Sequence, residues 1–487
     1  MSWPPRDREG SSSVRSGNLD TIPWRIAAVC SYWRTTVLSL PDIWSNIQLD
    51  LSFERLLPGL SPFEISRSIH KFLEASLLRS GNTLVSFSLK YSTDVAGLQD
   101  EAIRDVVCSL LIPLVEVSGR WEDVTLDLED LFSFHALLSP AVDRVPNLKR
   151  LYLASPGHSF TTPRPWHAID AFSNAPKLRQ LTLIHIPHPT LHLRLPWEQL
   201  THLRSKGSHF HEGEFTKLLR SAPSLQEFTT EDERVLDMAA PMPVVPTPLS
   251  AASNNSAVHL PHLRSLSVAN KGSYISRIFQ LITAPSLASL SIHSRTAYSA
   301  DHAISMLRRS FCTFQLRSLT LESSRDLDVV WEENYGVVCL LAELKGVEEL
   351  VLRISKASDE IIPRLTVRRG MGGNPQRNAA LMSYANPGNS NPAQPAPKQG
   401  TVLLPNLKSF SLEDSFCASA GELKEMLQSR IASTSSMSTE NGGPMDGVAR
   451  LKNVFLKLSR PPPPSYVELE ALGALAREKV LEINIVV

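Results

Sequence analysis

VPNLKRLYL (145–153), APKLRQLTL (175–183), APSLQEFTT (222–230), LPHLRSLSV (260–268), APSLASLSI (284–292) and LPNLKSFSL (404–412) are six versions of one phrase, Pro-x-Leu-x-x-Leu-x-Leu. Weaker copies without the proline are NTLVSFSL (82–89), WEDVTLDL (121–128), EQLTHL (198–203), FQLRSLTL (314–321), GVEELVL (346–352) and RLKNVFL (450–456), and the chain closes on VLEINIVV. The alternation of Leu with a second apolar residue two positions on predicts a short strand with one inward face. The proline sits where a helix must stop, because it lacks an N–H and restricts the residue before it. Between copies lie helical stripes such as EFTKLLRSA, YISRIFQLITA and GELKEMLQSRIA. The unit is therefore helix, proline turn, strand.

Counted from the first leucine of each copy, Leu148 to Leu178 is 30 residues, Leu178 to Leu200 is 22, Leu200 to Leu225 is 25, Leu263 to Leu287 is 24 and Leu287 to Leu316 is 29. A unit of this size cannot bury its own leucine face, so neighbouring units must stack on it. The spacing resembles that of leucine-rich repeats, slightly stretched. The resemblance implies an α/β solenoid, curved and irregular, from 81 to 487. The asparagine that usually follows the last leucine by three positions is replaced by Pro156, Ile186, Lys271 and Arg295, so no asparagine ladder is expected. Three stretches break the period, 241–257, 368–400 and 432–447, all rich in Pro, Gly, Ser and Asn. Their composition predicts disordered inserts on the solenoid rim.

A second pattern precedes the repeats. IPWRIAAVCSYWRTTVLSLPDIWSNIQL (22–49) holds three of the chain's eight tryptophans. Ile26, Val29, Cys30, Trp33 and Val37 fall on one helical stripe, with Trp44 and Ile47 beyond Pro41 able to fold back on it. The run VCSYWR followed by SLPDIW resembles the second half of the F-box of fungal F-box proteins, a Val-Cys-x-x-Trp-Arg helix and a Ser-x-Pro-x-Leu-Trp turn. The first F-box helix, with its Leu-Pro-x-Glu-Ile-Leu motif, has no match in MSWPPRDREGSSSVRSGNLD, which reads as disordered. The expected organisation is a disordered 1–20, a partial F-box-like helical segment at 21–50, a helical connector at 51–80 and the repeats thereafter.

The resemblance implies a substrate-recognition subunit of a Skp/cullin/F-box ubiquitin ligase. Pro23, Trp24, Val29, Cys30, Trp33, Arg34 and Trp44 would meet the Skp adaptor, weakly unless an upstream helix is supplied. The solenoid would hold an unknown protein substrate on residues that flank the strand leucines: Arg150, Tyr152, Gln180, Glu227, His293, Glu322, Arg353, Glu413 and Phe455. Large and charged groups of this kind make better anchors than the serines and threonines between them. The alternative is a non-catalytic repeat scaffold that has lost adaptor binding.

Other classes find no support in the residues. Lys plus Arg is 49 and Asp plus Glu is 49, so no global field draws the chain to nucleic acid or to a membrane. Cys30, Cys108, Cys312, Cys339 and Cys417 form no metal or disulfide pattern and read as apolar core residues in a reducing compartment, cytoplasmic or nuclear. His185, His188, His192, His209 and His211, with Glu212 and Glu214, would be a metal candidate on a helix. Pro187 and Pro189 argue against one there, so they read as ordinary surface histidines. No phosphate loop, nucleophile elbow or HExxH pair occurs, so no enzyme and no cofactor are expected. The acidic stretch GRWEDVTLDLED reads as a solvated strand edge.

Overall fold

The computed structural model describes residues 22–51, 62–91, 100–156, 167–210, 213–231, 234–235, 257–270, 272–294, 300–323, 334–353, 358–367, 403–413, 420–431, 448–449, 451–457 and 482–486. Residues 1–20 lie outside them, as do the three predicted inserts apart from Ala257. The chain divides into two compact units, Met1–Ala222 with Glu233–Ala240, and Pro223–Asp232 with Pro241–Val487.

In the first unit the helices α1 (Ile22–Ala27), α2 (Ser31–Leu38) and α3 (Pro41–Trp44) lead directly into strand β1 (Asn46–Asp50). It pairs in parallel with β2 (Val85–Tyr91), and the ladder continues through β3 (Trp121–Leu128), β4 (Arg150–Ala154), β5 (Gln180–Ile184) and β6 (His202–Lys206). A minor pair, β7 (His209–Phe210) with β9 (Arg234–Val235), stands apart. The ladder thus begins inside the segment read as a helical hairpin. The helix α4 (Pro62–Arg79), read as a connector, lies between two ladder strands, as does α5 (Asp100–Glu116).

The second unit runs β8 (Glu227–Glu231), β11 (Ser265–Asn270), β13 (Ser289–Ser294), β14 (Ser318–Ser323), β15 (Glu349–Arg353), β16 (Ser409–Glu413), β17 (Asn453–Lys457) and β18 (Glu482–Val486), again all parallel. The short strands β10 (Val258–His259) and β12 (Ile282–Thr283) pair separately. Helices Gly272–Leu281, Asp301–Ser310, Asn334–Glu343, Ser358–Leu365 and Ala420–Ile431 alternate with the ladder strands. Parallel strands need such crossovers, since a hairpin cannot join them. Each unit is therefore a leucine-rich-repeat-like stack with one ladder strand per repeat.

Register explains the repeated phrase. Leu151 pairs with Leu181 and that with Leu203, while Leu266, Leu290, Leu319 and Leu350 form one continuous row that runs on through Phe410 and Val454. All of these side chains are buried. The first leucine of the phrase, as in Leu148, Leu178, Leu225, Leu263, Leu287 and Leu407, turns inward as well and is fully buried. On the helices, Ile275, Ile278 and Phe279 show the expected i, i+3, i+4 stripe against the sheet.

In place of an asparagine ladder, the strand ends carry Ser155, Asn270 and Ser294 as buried polar groups. Asn270 and Ser294 share one register position. Ser155 Oγ accepts from Leu131 N–H and donates to the Glu129 carbonyl, both at 3.3 Å. The stretch read as a solvated strand edge is β3, an interior strand paired on both sides. Its Trp121 is buried, packs edge-on to Phe87 at 5.3 Å and donates to the Leu114 carbonyl at 3.0 Å.

The row of leucines makes a checkable demand. Leu181→Ala or Leu290→Ala should cost about 2–5 kcal/mol, because each side chain sits between two neighbouring strands that cannot collapse into the space. Ser291→Ala, on the opposite face of the strand that carries Leu290, should change the denaturant midpoint little. Equal midpoints for Leu290→Ala and Ser291→Ala would contradict the register.

Candidate functional site

The N-terminal helices are not one stripe. Cys30 has extended backbone (φ −159°, ψ 173°), ends the first helix region and caps α2, with Sγ accepting from Trp33 N–H at 3.5 Å. Arg34 Nε donates to the Ala27 carbonyl at 3.0 Å and staples the two helices across the break. Ala27, Val37 and Trp44 form the small core, with Trp24, Ile26 and Ile43 packed against it. Trp24 and Trp44 meet edge-on at 5.1 Å, and Trp44 Nε1 donates to the Val37 carbonyl at 2.8 Å. The Arg79 guanidinium lies over both rings, at 4.7 Å and 4.5 Å.

The break rotates the rest of the motif outward. Val29 is 69% exposed, Tyr32 75% and Trp33 49%, with Leu38 and Leu40 also exposed. Cys30 and Arg34 are exposed as well, and Pro23 is half-buried. Of the seven residues assigned to adaptor contact, Trp44 is core and Trp24 lines it, whereas Val29, Cys30, Trp33 and Arg34 share an open surface. The cysteines also depart from a uniform core reading: Cys312 is buried, Cys108 and Cys339 are half-buried, and Cys417 lies outside the described residues.

On the strand faces, the residues singled out from the sequence do occupy positions between the leucines, but several satisfy one another. Arg150 forks onto the Asp123 carboxylate, with Nε to Oδ1 at 2.7 Å and the other arm on Oδ2. Arg353 donates to Glu413 through two nitrogens at 3.0 and 3.2 Å and to Glu322 at 3.1 Å; His293 Nδ1 lies 3.4 Å from Glu322. Three neighbouring strands, β14 to β16, are thereby tied by one chain of charge, and the His293 ring of β13 lies beside it. Gln180 and Glu227 stand at the exposed start of their strands, and Phe455 is half-buried between Val454 and Leu456.

Tyr152 and Asp127 form the most perturbed part of the first unit's face. Burial, followed by the nearby Asp127 carboxylate and opposed by Arg204, pushes the Tyr152 phenol up to about 12. Burial also raises the Asp127 carboxyl, with Asp50 adding to the effect and Lys90 and His185 opposing it. His185 has a left-handed backbone (φ 53°), and its ring occupies the space that a Cβ on Gly207 (φ 62°) would need.

The histidine-rich stretch is a structural clamp. Pro189 opens a one-turn helix, Pro189–His192, since proline is tolerated in the first turn of a helix. Glu214 is buried and accepts from Thr190 N–H at 3.2 Å and Thr190 Oγ1 at 3.0 Å, with His188 Nδ1 at 3.0 Å. His188 is therefore no ordinary surface histidine. His211 and Glu212 lie outside the described residues. Among the described residues no group of three or more His, Cys, Asp or Glu could hold a metal ion, and no helix is long and apolar enough to cross a membrane.

The phrase also carries a column of cations that the strand leucines do not account for. The residue after the first leucine is Lys149, Arg179, Arg264, Arg317, Lys408 or Lys452 in six of the copies. In the second unit these residues hydrogen-bond in series through their backbones, from Arg264 through Ala288, Arg317, Glu348 and Lys408 to Lys452. The recurrence of a cation at one phrase position was the available signal.

No protein-family profile matches the chain, and no curated protein does. Among solved structures it is similar to an internalin (inlF) from Listeria monocytogenes str. 4b F2365, at 13% identity over 79% of this chain and 86% of that one, with a TM-score of 0.31. At that score the likeness adds nothing to what the strand ladders show by themselves. The class that the fold defines is a leucine-rich-repeat-like scaffold.

Asp127 provides a test of the face. Its pKa in the fold is above its unfolded value, so the native state holds more protons in that window and its ionisation destabilises the fold as pH rises. Asp127→Asn should therefore raise the denaturant midpoint at neutral pH, and the gain should fade as pH falls through the carboxylate range. A gain that grew on acidification would show that the carboxylate is held by its cationic neighbours instead.

Proposed function

We propose that this chain is the substrate-recognition subunit of a Skp/cullin/F-box ubiquitin ligase, with α1–α3 docking on the Skp adaptor and the strand faces holding a protein substrate. The observation that carries this reading is the open apolar surface of Val29, Tyr32, Trp33 and Leu40, beside a separate core of Ala27, Val37 and Trp44. Two large aromatic side chains left in water at the centre of a VCSYWR motif suit a hot spot in a protein interface. The resemblance of that motif and SLPDIW to the F-box is what points to the Skp adaptor as the partner. The chain does no chemistry in this reading and needs no cofactor; ubiquitin transfer belongs to the rest of the assembly. Without adaptor binding, the same repeats make a protein-binding scaffold.

The test is capture of a purified fungal Skp adaptor by the chain, with and without a Leu-Pro-x-Glu helix fused upstream. Capture is expected at least in the fused form. Trp33→Ala should abolish it while circular dichroism and the melt stay unchanged, because Trp33 lies outside the helical core; Trp44→Ala should instead unfold the module. Capture that survives Trp33→Ala, or none in either form, would leave the scaffold reading.

A further inference from the structure

The outward face of α2 has few polar groups left to offer a partner or water. Thr35 Oγ1 donates to the Ser31 carbonyl at 3.0 Å, Thr36 Oγ1 to the Tyr32 carbonyl at 3.0 Å and Ser39 Oγ to the Thr36 carbonyl at 2.9 Å, so three hydroxyl donors are spent on their own helix. Of residues 26–41 only Arg34 is charged, in a chain that is 20% charged overall, and its Nε donates to the Ala27 carbonyl at 3.0 Å. Tyr32, Thr35 and Leu38 fall three apart on one exposed stripe. Val29 precedes the helix, Trp33 stands beside Tyr32 and Leu40 lies beyond the last turn, all three exposed.

Such a face is complementary to itself. A two-fold axis sets one patch against the same patch of a second copy, so any free charge near the axis meets its own like. A patch without free charge escapes that penalty, and one whose donors are already spent gives up little hydrogen bonding to water when covered. The exposed side chains amount to roughly 500 Å², taking about 150–250 Å² for a whole aromatic side chain. Two copies face to face would thus remove about 1,000 Å² from water, the lower limit for a specific contact between proteins. That area suits a weak, concentration-dependent dimer. An axis through Thr35 runs the two α2 helices antiparallel and sets Tyr32 of each copy against Leu38 of the other, with a small side chain at the crossing to let the helices approach.

We propose that α2 of a second copy of this chain covers this face while no adaptor is bound, so that a homodimer masks the docking surface and the adaptor must displace it. The pairing rests on the reading that the same face docks the Skp adaptor, and it adds a regulation of that site: free chains sequester one another, and only the monomer captures the adaptor. The small area is part of the device, since a much larger contact would leave no room for competition.

The experiment is sedimentation velocity on the full chain, over a concentration series reaching about 100 µM. The chain should pass from monomer to dimer across the series. Thr35→Glu and Thr35→Lys should each raise the midpoint roughly tenfold or more, because two like charges then meet at the axis. An equimolar mixture of the two variants should restore the dimer, since Glu then faces Lys, and that recovery also shows both variants to be folded. Phe311→Lys, at an exposed aromatic of the second unit, should leave the midpoint alone. A monomer throughout, a midpoint indifferent to Thr35→Glu, or a mixture that stays monomeric would each overturn the proposal. Added Skp adaptor should convert the dimer into a complex of one chain with one adaptor, and a complex holding two of each would overturn the masking. Dimerisation without adaptor capture sinks only the ligase reading; capture by a chain that never dimerises sinks only the homodimer.

Discussion

A leucine between two parallel strands is buried only if the next strand presents an apolar side chain at the same register. The rest of each unit follows from that constraint. Leu181 needs Leu151 and Leu203; Leu290 needs Leu266 and Leu319. Stability therefore propagates along the ladder, and the face between the leucines is free to vary. Among the described residues the first strand, β1, pairs only with β2, and it is α1–α3 that lead into it. Trp44 fills the last turn before β1 and meets Trp24 edge-on under the Arg79 guanidinium, so one aromatic pair is used both as the helical core and as the platform for α4. Each such ring contact is worth about 0.5–1.5 kcal/mol beyond its buried area.

A second device recurs at the helix-to-strand joints, where the last helical carbonyls lack partners. Arg120 donates to the Thr83 carbonyl at 2.8 Å and to Ser80 Oγ at 2.6 Å, beyond the end of α4. Arg144 reaches the Glu116 carbonyl at the end of α5, and Arg309 those of Phe279, in the last turn of the helix Gly272–Leu281, and Ile282 just beyond it. Arg430 is fully buried and donates to the carbonyls of Leu365, Leu404 and Leu403. Burial lowers its pKa to about 10, which still leaves it charged at neutral pH. In each case an arginine later in the chain closes the end of an earlier helix, so a repeat is held by hydrogen bonds as well as by leucine packing.

What could be read from the sequence was whatever one strand or one helix expresses alone. Leucine at period two, proline ahead of it and a helical stripe between copies are local, and they led to the parallel ladder. The break at Cys30 was not legible, because Ile26, Val29, Cys30, Trp33 and Val37 keep helical spacing straight through it; only the extended backbone of Cys30 and the Arg34 staple reveal that two helices share the pattern. Pairings between distant residues were equally hidden. Arg353 and Glu413 are separated by 60 positions, and His188 and Glu214 by 26. Asp127 looked solvated because its neighbours in the sequence are acidic, whereas its strand lies between two others.

The two kinds of charge on the strands therefore do different work. The Arg353 chain is internally satisfied, two carboxylates sharing one guanidinium that donates to both, and the fork on Glu413 raises the guanidinium pKa above its ordinary value. Opening it to admit a partner would leave half-buried carboxylates without their cation, a cost that a new contact must first recover. That arrangement stiffens β14, β15 and β16 against one another more readily than it binds anything. A cation at an exposed edge is the opposite case: Arg264 and Lys452 are exposed and make no ion pair among the described residues, so neither is committed to a neighbouring strand. The residues that look most like anchors in a list of large polar side chains are thus partly structural ties, and the recurring Lys or Arg beside the first leucine is the feature that packing leaves unexplained.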